Sequence, residues 1–269
     1  MSVRAFSYGG GTQSTAALIL AAQGKIDFPL FIFANVGEDS ENPASLDYVR
    51  DYAMPYAAMH GIELVERERG GVNRSLLHKI ERLESTLPIP VRMFPSGAPG
   101  RRSCTQDFKI DVIARELKAR GATVEDPAVV GLGITMDEIE RMRSEYDPRA
   151  PEQRRSYPLI DMRLHRQHCL QIIADEGLPL PEKSACWFCP YHRTEDWQKM
   201  KREQPEQFEK VCALEEMLIE RRGKLGHLPV YMSDRGAREQ ATLRELYTHD
   251  QLTFDLGPGD SCDGGYCMT

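Results

Sequence analysis

Residues 6–20 read FSYGGGTQSTAALIL, which sets three consecutive glycines between an apolar run and a smooth Ala/Leu run. No other stretch restricts the fold so strongly. A strand that feeds a helix through Gly9, Gly10 and Gly11 can turn successive backbone N–H groups onto an anion, because glycine takes backbone angles closed to other residues. The helix that follows adds the partial positive charge of its N-terminus, and Ser14 and Thr15 add hydroxyl donors. The alternative is a tight strand-to-helix turn with no ligand; the position after the first strand, together with the hydroxyls, favours a phosphate. No Gly-Lys-Ser follows as in a Walker loop, and the spacing is not that of the G-x-G-x-x-G dinucleotide fingerprint.

The rest of the chain fits a fold built around such a loop. Residues 3–8 read as a strand and 12–23 as a helix. Residues 30–36, LFIFANV, are continuously apolar, as expected of a strand covered on both faces. Residues 43–60 read as a helix with Asn42 as N-cap and Pro43 in the first turn. Residues 62–66 and 128–132 read as further strands, 73–83 and 106–120 as amphipathic helices. Strands alternating with helices imply an α/β fold, a parallel sheet with helices on both faces. After Tyr157 the texture changes to a helix over 164–176, the proline-rich GLPLPEKSACWFCPYH, and a helical stretch from 194 to about 222. The expected organisation is a nucleotide-binding domain over residues 1–155, a helical C-terminal region over 156–256, and a flexible tail over 257–269. Residues 88–102, 141–155 and those after 256 read as candidates for disorder.

Composition narrows the class. No apolar run in the 269 residues approaches the about 18 needed to span a membrane, and the N-terminus lacks a signal peptide's order of basic then apolar residues. The expectation is a cytoplasmic protein with no membrane partner. A net charge of −7 gives the whole molecule no attraction for nucleic acid, which leaves local basic surface, such as the arginines at 141, 143, 149, 154 and 155, as the route to such a partner. Seven cysteines in a chain of this kind argue against a disulfide scaffold and leave metal binding, catalysis or burial.

The loop resembles the Ser-Gly-Gly-x-Asp-Ser loop of the ATP pyrophosphatase (PP-loop, adenine nucleotide alpha-hydrolase) superfamily, and within it that of the adenylyl-sulfate and phosphoadenylyl-sulfate (PAPS) reductase family. Gly10, Gly11 and Ser14 match, while Gly9 replaces the first serine and Gln13 the aspartate. FANVGEDSENP resembles the family's Asp-Thr-Gly-x-x-x-Pro-Glu segment, with Asn35 for the aspartate and Gly37 kept. VVGLGITMDEIERMR resembles Val-x-Gly-x-Arg-x-x-x-Ser-x-x-Arg, with Gly131 and Arg141 or Arg143 in place and Gly133 where an arginine is usual; YPLIDM is close to Pro-Leu-x-Asp-Trp-Thr. The similarity runs over about residues 6–189. It implies that ATP, adenylyl sulfate or PAPS binds through Ser7, Gly9, Gly10, Gly11, Gln13, Ser14, Thr15, Asn35, Gly37, Gly131 and Arg141, with the base against residues 33–36. Asp39 and Glu41 stand where Mg could bridge to phosphates; a solvated acidic turn is the alternative.

The cysteines extend the resemblance. RSCTQDFK places Cys104 five residues before Lys109, and ACWFCPYH carries Cys186 and Cys189, the first of them 82 residues (186 − 104) after Cys104. Adenylyl-sulfate reductases of the family have Cys-Cys-x-x-x-Lys followed by a Cys-x-x-Cys about eighty residues on, and hold a 4Fe–4S cluster; here Thr105 replaces the second cysteine. Three thiolates fit a cluster with one iron open to a substrate atom such as sulfide. Zinc suits a Cys-x-x-Cys as well, and three buried thiols are the remaining reading. His192 reads as a fourth ligand, as a neighbour of the ligands, or as a surface residue. Arg102 and Lys109, with Arg101, are expected as catalytic cations beside the cluster and a phosphate or sulfate, with solvated loop arginines as the alternative. Cys262 and Cys267, in the tail GDSCDGGYCMT, are expected as nucleophile or persulfide carrier, as implied by the C-terminal cysteine of sulfonucleotide reductases, with incidental cysteines as the alternative. Cys169 and Cys212 fall at apolar helix positions and read as core.

Two enzyme readings follow. In one, ATP adenylates an acceptor and sulfur is transferred to a nucleic acid or small molecule. In the other, adenylyl sulfate or PAPS is reduced to sulfite. A third reading is a nucleotide-binding subunit of a modification or defence complex. The partners implied are an adenine nucleotide and a sulfur-donor protein or a reductant such as thioredoxin, with a nucleic-acid acceptor and a homo-oligomer left open.

Overall fold

A computed structural model of the chain describes residues 2–82 and 85–248; Cys262, Cys267 and the tail expected to carry them lie outside the described residues. In chain order the strands are β1 (Arg4–Tyr8), β2 (Leu30–Asn35), β3 (Glu63–Glu68), β4 (Arg92–Met93), β5 (Ala128–Gly131), β6 (Gln153–Ser156) and β7 (Val230–Tyr231). Helix α1 spans Thr12–Ala22, and α2 (Pro43–Tyr48) and α3 (Met54–Met59) follow β2. Then come α4 (Leu76–Arg82), α5 (Ser103–Thr105), α6 (Asp111–Ala119), α7 (Pro158–Asp161) and α8 (Arg166–Asp175). The last helices are α9 (Thr194–Glu203), α10 (Pro205–Lys224), α11 (Asp234–Glu239) and α12 (Leu243–Leu246). No helix among the described residues is long and apolar enough to cross a membrane.

The described chain forms two compact units, residues 2–76 with 105–185, and residues 77–104 with 186–248. The first is an α/β unit whose five-stranded sheet runs β3-β2-β1-β5-β6 with every pair parallel. Its inner strands are apolar on both faces because both faces are covered. Phe6, Tyr8, Phe31 and Phe33 pack on one side with Leu18, Val49, Cys169 and Ile173. Ala5, Leu30, Ile32 and Val130 pack on the other with Val112, Ile113 and Leu117 of α6. Phe6 stacks on Phe31 at 5.0 Å between ring centroids and meets Phe28 edge-on at 5.6 Å. A Cβ at Gly131 would stand 2.5 Å from the Phe6 ring and 2.9 Å from the Phe28 ring, so only glycine fits that point of β5.

The helix expected over 43–60 is one helical path with a five-residue π segment, Val49–Ala53, between α2 and α3. Pro55 explains it: the residue has no N–H to give the carbonyl one turn back, and its ring crowds that carbonyl, so the turn before it widens. Asn42 caps the start, its side chain accepting from the Ala44 N–H at 3.1 Å.

Two segments expected to be disordered are ordered. Residues 141–155 contain β6, the edge strand of the sheet, whose Arg155 N–H donates to Glu145 O and whose Arg154 guanidinium lies 4.8 Å over the Tyr146 ring. Residues 88–102 contain β4, paired antiparallel with β7 far along the chain, and bury Ile89 and Val91.

The second unit is built on α10. Its buried Glu215 accepts from the backbone N–H of Met232 at 2.6 Å and of Leu243 at 2.5 Å, fastening the segments around β7 and α12.

Candidate functional site

In the α/β unit the chain leaves β1 toward β2 and β3 on one side, and toward β5 and β6 on the other. The loops after β1 and β5 therefore diverge, and the crevice outside the strand ends at such a switch point is where open α/β sheets bind ligands. The glycine triplet lies there. Gly10 has φ +74°, the left-handed region that favours glycine, and Gly11 forms the extended N-cap of α1. The loop after β5 comes up to the same helix start: a Cβ at Gly133 would stand 3.4 Å from Gln13 Cβ and 3.5 Å from Ser14 N. The N-terminus of α1 is thus lined by backbone, and Gly133 brings no cation to it.

The expected loop hydroxyls are turned inward. Ser14 Oγ donates to Gly11 O at 3.0 Å and accepts from Gly11 N–H at 3.2 Å. Thr15 is fully buried and its hydroxyl pairs with Tyr8 OH at 3.0 Å, so Thr15 stands in the core rather than at the rim. Burial raises the Tyr8 pKa above the ordinary tyrosine value. Ser7, near the end of β1, is buried, and Gln13 is half-buried on the first turn. Phe33 packs beneath Gly10, its ring 3.6 Å from where a Cβ there would be.

Asn35 ends β2 and organises the turn behind it. Its Oδ1 accepts from Gly37 N–H at 2.8 Å, and its Nδ2 donates to Glu38 and Glu66 at 3.0 and 2.6 Å. Gly37 has φ +121°, and a Cβ there would stand 2.4 Å from Ser75 Cβ. Asp39 accepts from the hydroxyls of Ser40 and Ser75, and Glu41 is buried rather than set in a solvated turn. Glu38, Glu66 and Glu68 offer oxygens within 4.8 Å of one another, with Arg50 bridging Glu38 and Glu66.

Arg141 is 7% exposed. Its Nη1 donates to Glu138 Oε2 at 2.7 Å, while its buried Nε and Nη2 have no hydrogen-bond partner among the described residues. Guanidinium N–H groups left unpaired in a buried place are costly, and an anion is the natural partner for them.

The thiols fall in the second unit. Cys104, Cys186 and Cys189 are each half-buried. Cys189 N–H donates to Cys186 O at 3.0 Å, which closes the Cys-x-x-Cys into a turn, and His192 N–H donates to Cys189 O at 3.0 Å. The His192 ring braces that turn: Nε2 bonds Cys186 O at 3.0 Å and Nδ1 lies 3.6 Å from Asp196. The segment leading to Cys104 reaches the same place, since the Arg102 and Arg92 guanidinium groups lie 5.4 and 5.5 Å from the ring of Tyr191, two residues after Cys189. Cys104 N–H donates to Pro88 O at 2.8 Å. Lys109, half-buried in the π segment Gln106–Ile110, belongs to the α/β unit. Cys169 and Cys212 are buried core thiols with pKa values pushed up to about 12 by burial.

Two features had no signal in the sequence. Asp137 accepts from His165 Nδ1 at 2.8 Å and from Arg166 N–H at 2.5 Å, contacts that hold its carboxyl below the usual range. The Ser184 hydroxyl donates to Gly9 O. A lone serine and a lone histidine carry no motif, and only the fold brings them to these partners.

No protein-family model matches the sequence, and no curated protein matches it. Among solved structures the chain is similar to the U34-tRNA thiolase NcsA from Methanococcus maripaludis with its 4Fe–4S cluster. Identity is 17%, the match covers 80% of this chain and 70% of that one, and the TM-score is 0.42. That likeness is too distant to transfer chemistry to this chain.

Proposed function

We propose that this chain is an ATP-binding iron–sulfur enzyme that activates an acceptor oxygen by adenylation and exchanges it for sulfur, with a nucleic acid or a small molecule as acceptor. The observation that carries the reading is the glycine loop at the switch point between β1 and β5, joined to the helix start of α1. The loop N–H groups bind the ATP phosphates, with Arg141 as the cation that completes their set. The acceptor oxygen attacks the α-phosphorus and pyrophosphate leaves. A sulfur nucleophile then displaces AMP. Gly133 favours ATP over a sulfonucleotide, because the position beside the loop carries no charge for a sulfate.

Cys104, Cys186 and Cys189 would hold the cluster. Three half-buried thiols in one unit, with Arg102 beside their turn, suit an anionic group. A bound 4Fe–4S cluster with three thiolates supplies an iron open to a sulfur atom. Cys262 or Cys267 serves as the sulfur carrier, and Lys109, in the α/β unit, as a further cation for the nucleotide.

The test is anaerobic reconstitution followed by assay with ATP and a sulfide or persulfide donor. Brown, iron-loaded protein is expected, bleached by serine at any of the three cysteines, with pyrophosphate and AMP released. Truncation after Gly257 should keep cluster and nucleotide binding and lose the thiolated product. Zinc without iron would remove the cluster from this reading. Sulfite from adenylyl sulfate or PAPS would make the protein a reductase, and ATP binding without turnover would make it a sensor or subunit.

A further inference from the structure

The segment after α8 runs over the glycine loop, and it is fastened at two points. At its start the Tyr48 hydroxyl donates to Pro179 O at 2.8 Å. Burial pushes the Tyr48 pKa up to about 12. At its end the Ser184 hydroxyl donates to Gly9 O. Ser184 Cβ lies 3.6 Å from where a Cβ at Gly11 would stand and 4.0 Å from one at Gly10. Pro179 and Pro181 restrict the backbone between the two anchors.

Two hydroxyls that follow the triplet are already engaged inside the protein. Ser14 is spent on Gly11 and Thr15 on Tyr8. Ser184, half-buried against the triplet, stands at the same carbonyl that residue 9 presents. A hydroxyl rotates about its C–O bond, so an O–H that bonds Gly9 O can turn to a phosphate oxygen at little cost.

We propose that Ser184 is a phosphate ligand of the nucleotide, supplying a hydroxyl from a distant segment to the glycine loop. The proposal rests on the reading of the loop as an ATP site. It makes Ser184 a binding residue that selects for a phosphorylated ligand, and it assigns the strap from Pro179 to Ser184 a role in the nucleotide site.

The experiment compares wild type, Ser184→Ala and Ser184→Thr by calorimetry with MgATP, with a melting curve of each unliganded protein. Ser184→Ala should bind ATP about tenfold more weakly, the scale of one hydrogen bond to a charged oxygen. Ser184→Thr keeps the hydroxyl and should bind within about threefold of wild type. The unliganded melting curves should nearly coincide. Equal affinity in wild type and Ser184→Ala overturns the proposal and leaves the ATP site standing. Equal weakening by alanine and threonine, or a weakening tracked by lost thermal stability, overturns it too, since the hydroxyl would then not be the cause. Wild type that binds no ATP removes the loop reading and this inference with it.

Discussion

Arg141 shows at the level of one side chain what the α/β unit lacks. Its pair with Glu138 neutralises the charge, yet two of its buried nitrogen groups have no acceptor among the described residues. Leaving such groups unpaired costs about 1–3 kcal/mol each, a cost that a phosphate oxygen would relieve. Removing the side chain outright would leave Glu138 buried without its cation and would confuse binding with folding. Arg141→Lys is the better probe, because it keeps the charge and loses the planar fork. We expect at least a tenfold loss of ATP affinity by calorimetry, and a smaller gain in melting temperature on adding ATP than wild type shows. An unchanged affinity would place the phosphates elsewhere.

At the level of elements, the inner strands were legible and the outer pieces were not, for one reason. Strands β1, β2 and β5 bury both faces, so their apolar runs announce them. Strand β6 reads Gln-Arg-Arg-Ser; it stands at the sheet edge, is paired to one neighbour only, and has no apolar face to display. Strand β4 depends on β7, a partner more than a hundred residues away, which no local pattern can reveal. The division into units had the same obscurity, since residues 77–104 interrupt the α/β unit and join residues 186–248 without a linker of distinct composition. The candidate site split likewise. The glycine loop and the three cysteines were readable as motifs, whereas Ser184, Asp137 and His165 needed the fold.

Helix α10 carries the element-scale prediction. Glu215 is 1% exposed, and burial pushes its pKa up to about 7 from an ordinary 4.5, against the opposing pull of the Met232 and Leu243 N–H groups. The native state therefore holds this proton more tightly than the unfolded chain. The stability from this group is full below about pH 4.5 and is lost as pH rises through about 7, in total about 3 kcal/mol. The carboxyls held below their usual range, Glu63, Glu116 and Asp147 among them, act in the opposite direction and below pH 4.5, outside this window. Denaturant melts between pH 5 and 8 should show the loss for segments around α10. Glu215→Gln should flatten it while lowering stability at every pH, because an amide N–H then faces a backbone N–H. A slope that survives in Glu215→Gln would assign the titration to another group.

For the whole molecule, the two compact units imply two separable responses to ligands. The glycine loop and Arg141 lie in the α/β unit, and Cys104, Cys186 and Cys189 lie in the other. A ligand slows the opening of whatever must open to release it, by RT ln(1 + [L]/Kd), about 2.7 kcal/mol at a hundred times Kd. Metal bound by thiolates likewise adds to the stability of the segments that hold it. Hydrogen exchange read by mass spectrometry can follow both in the intact protein. MgATP at about a hundred times its Kd should slow exchange in β1, α1 and β5 by up to about a hundredfold. Chelating the metal from reconstituted protein should speed exchange in residues 88–104 and 186–204 and leave the amides of β1, β2 and β5 close to their former rates. Protection by ATP centred on α9 and α10 would contradict the loop as its site. Equal deprotection of the central strands on metal loss would mean that the thiols support the fold of the whole chain, and the separate assignment of the two ligands to the two units would fail.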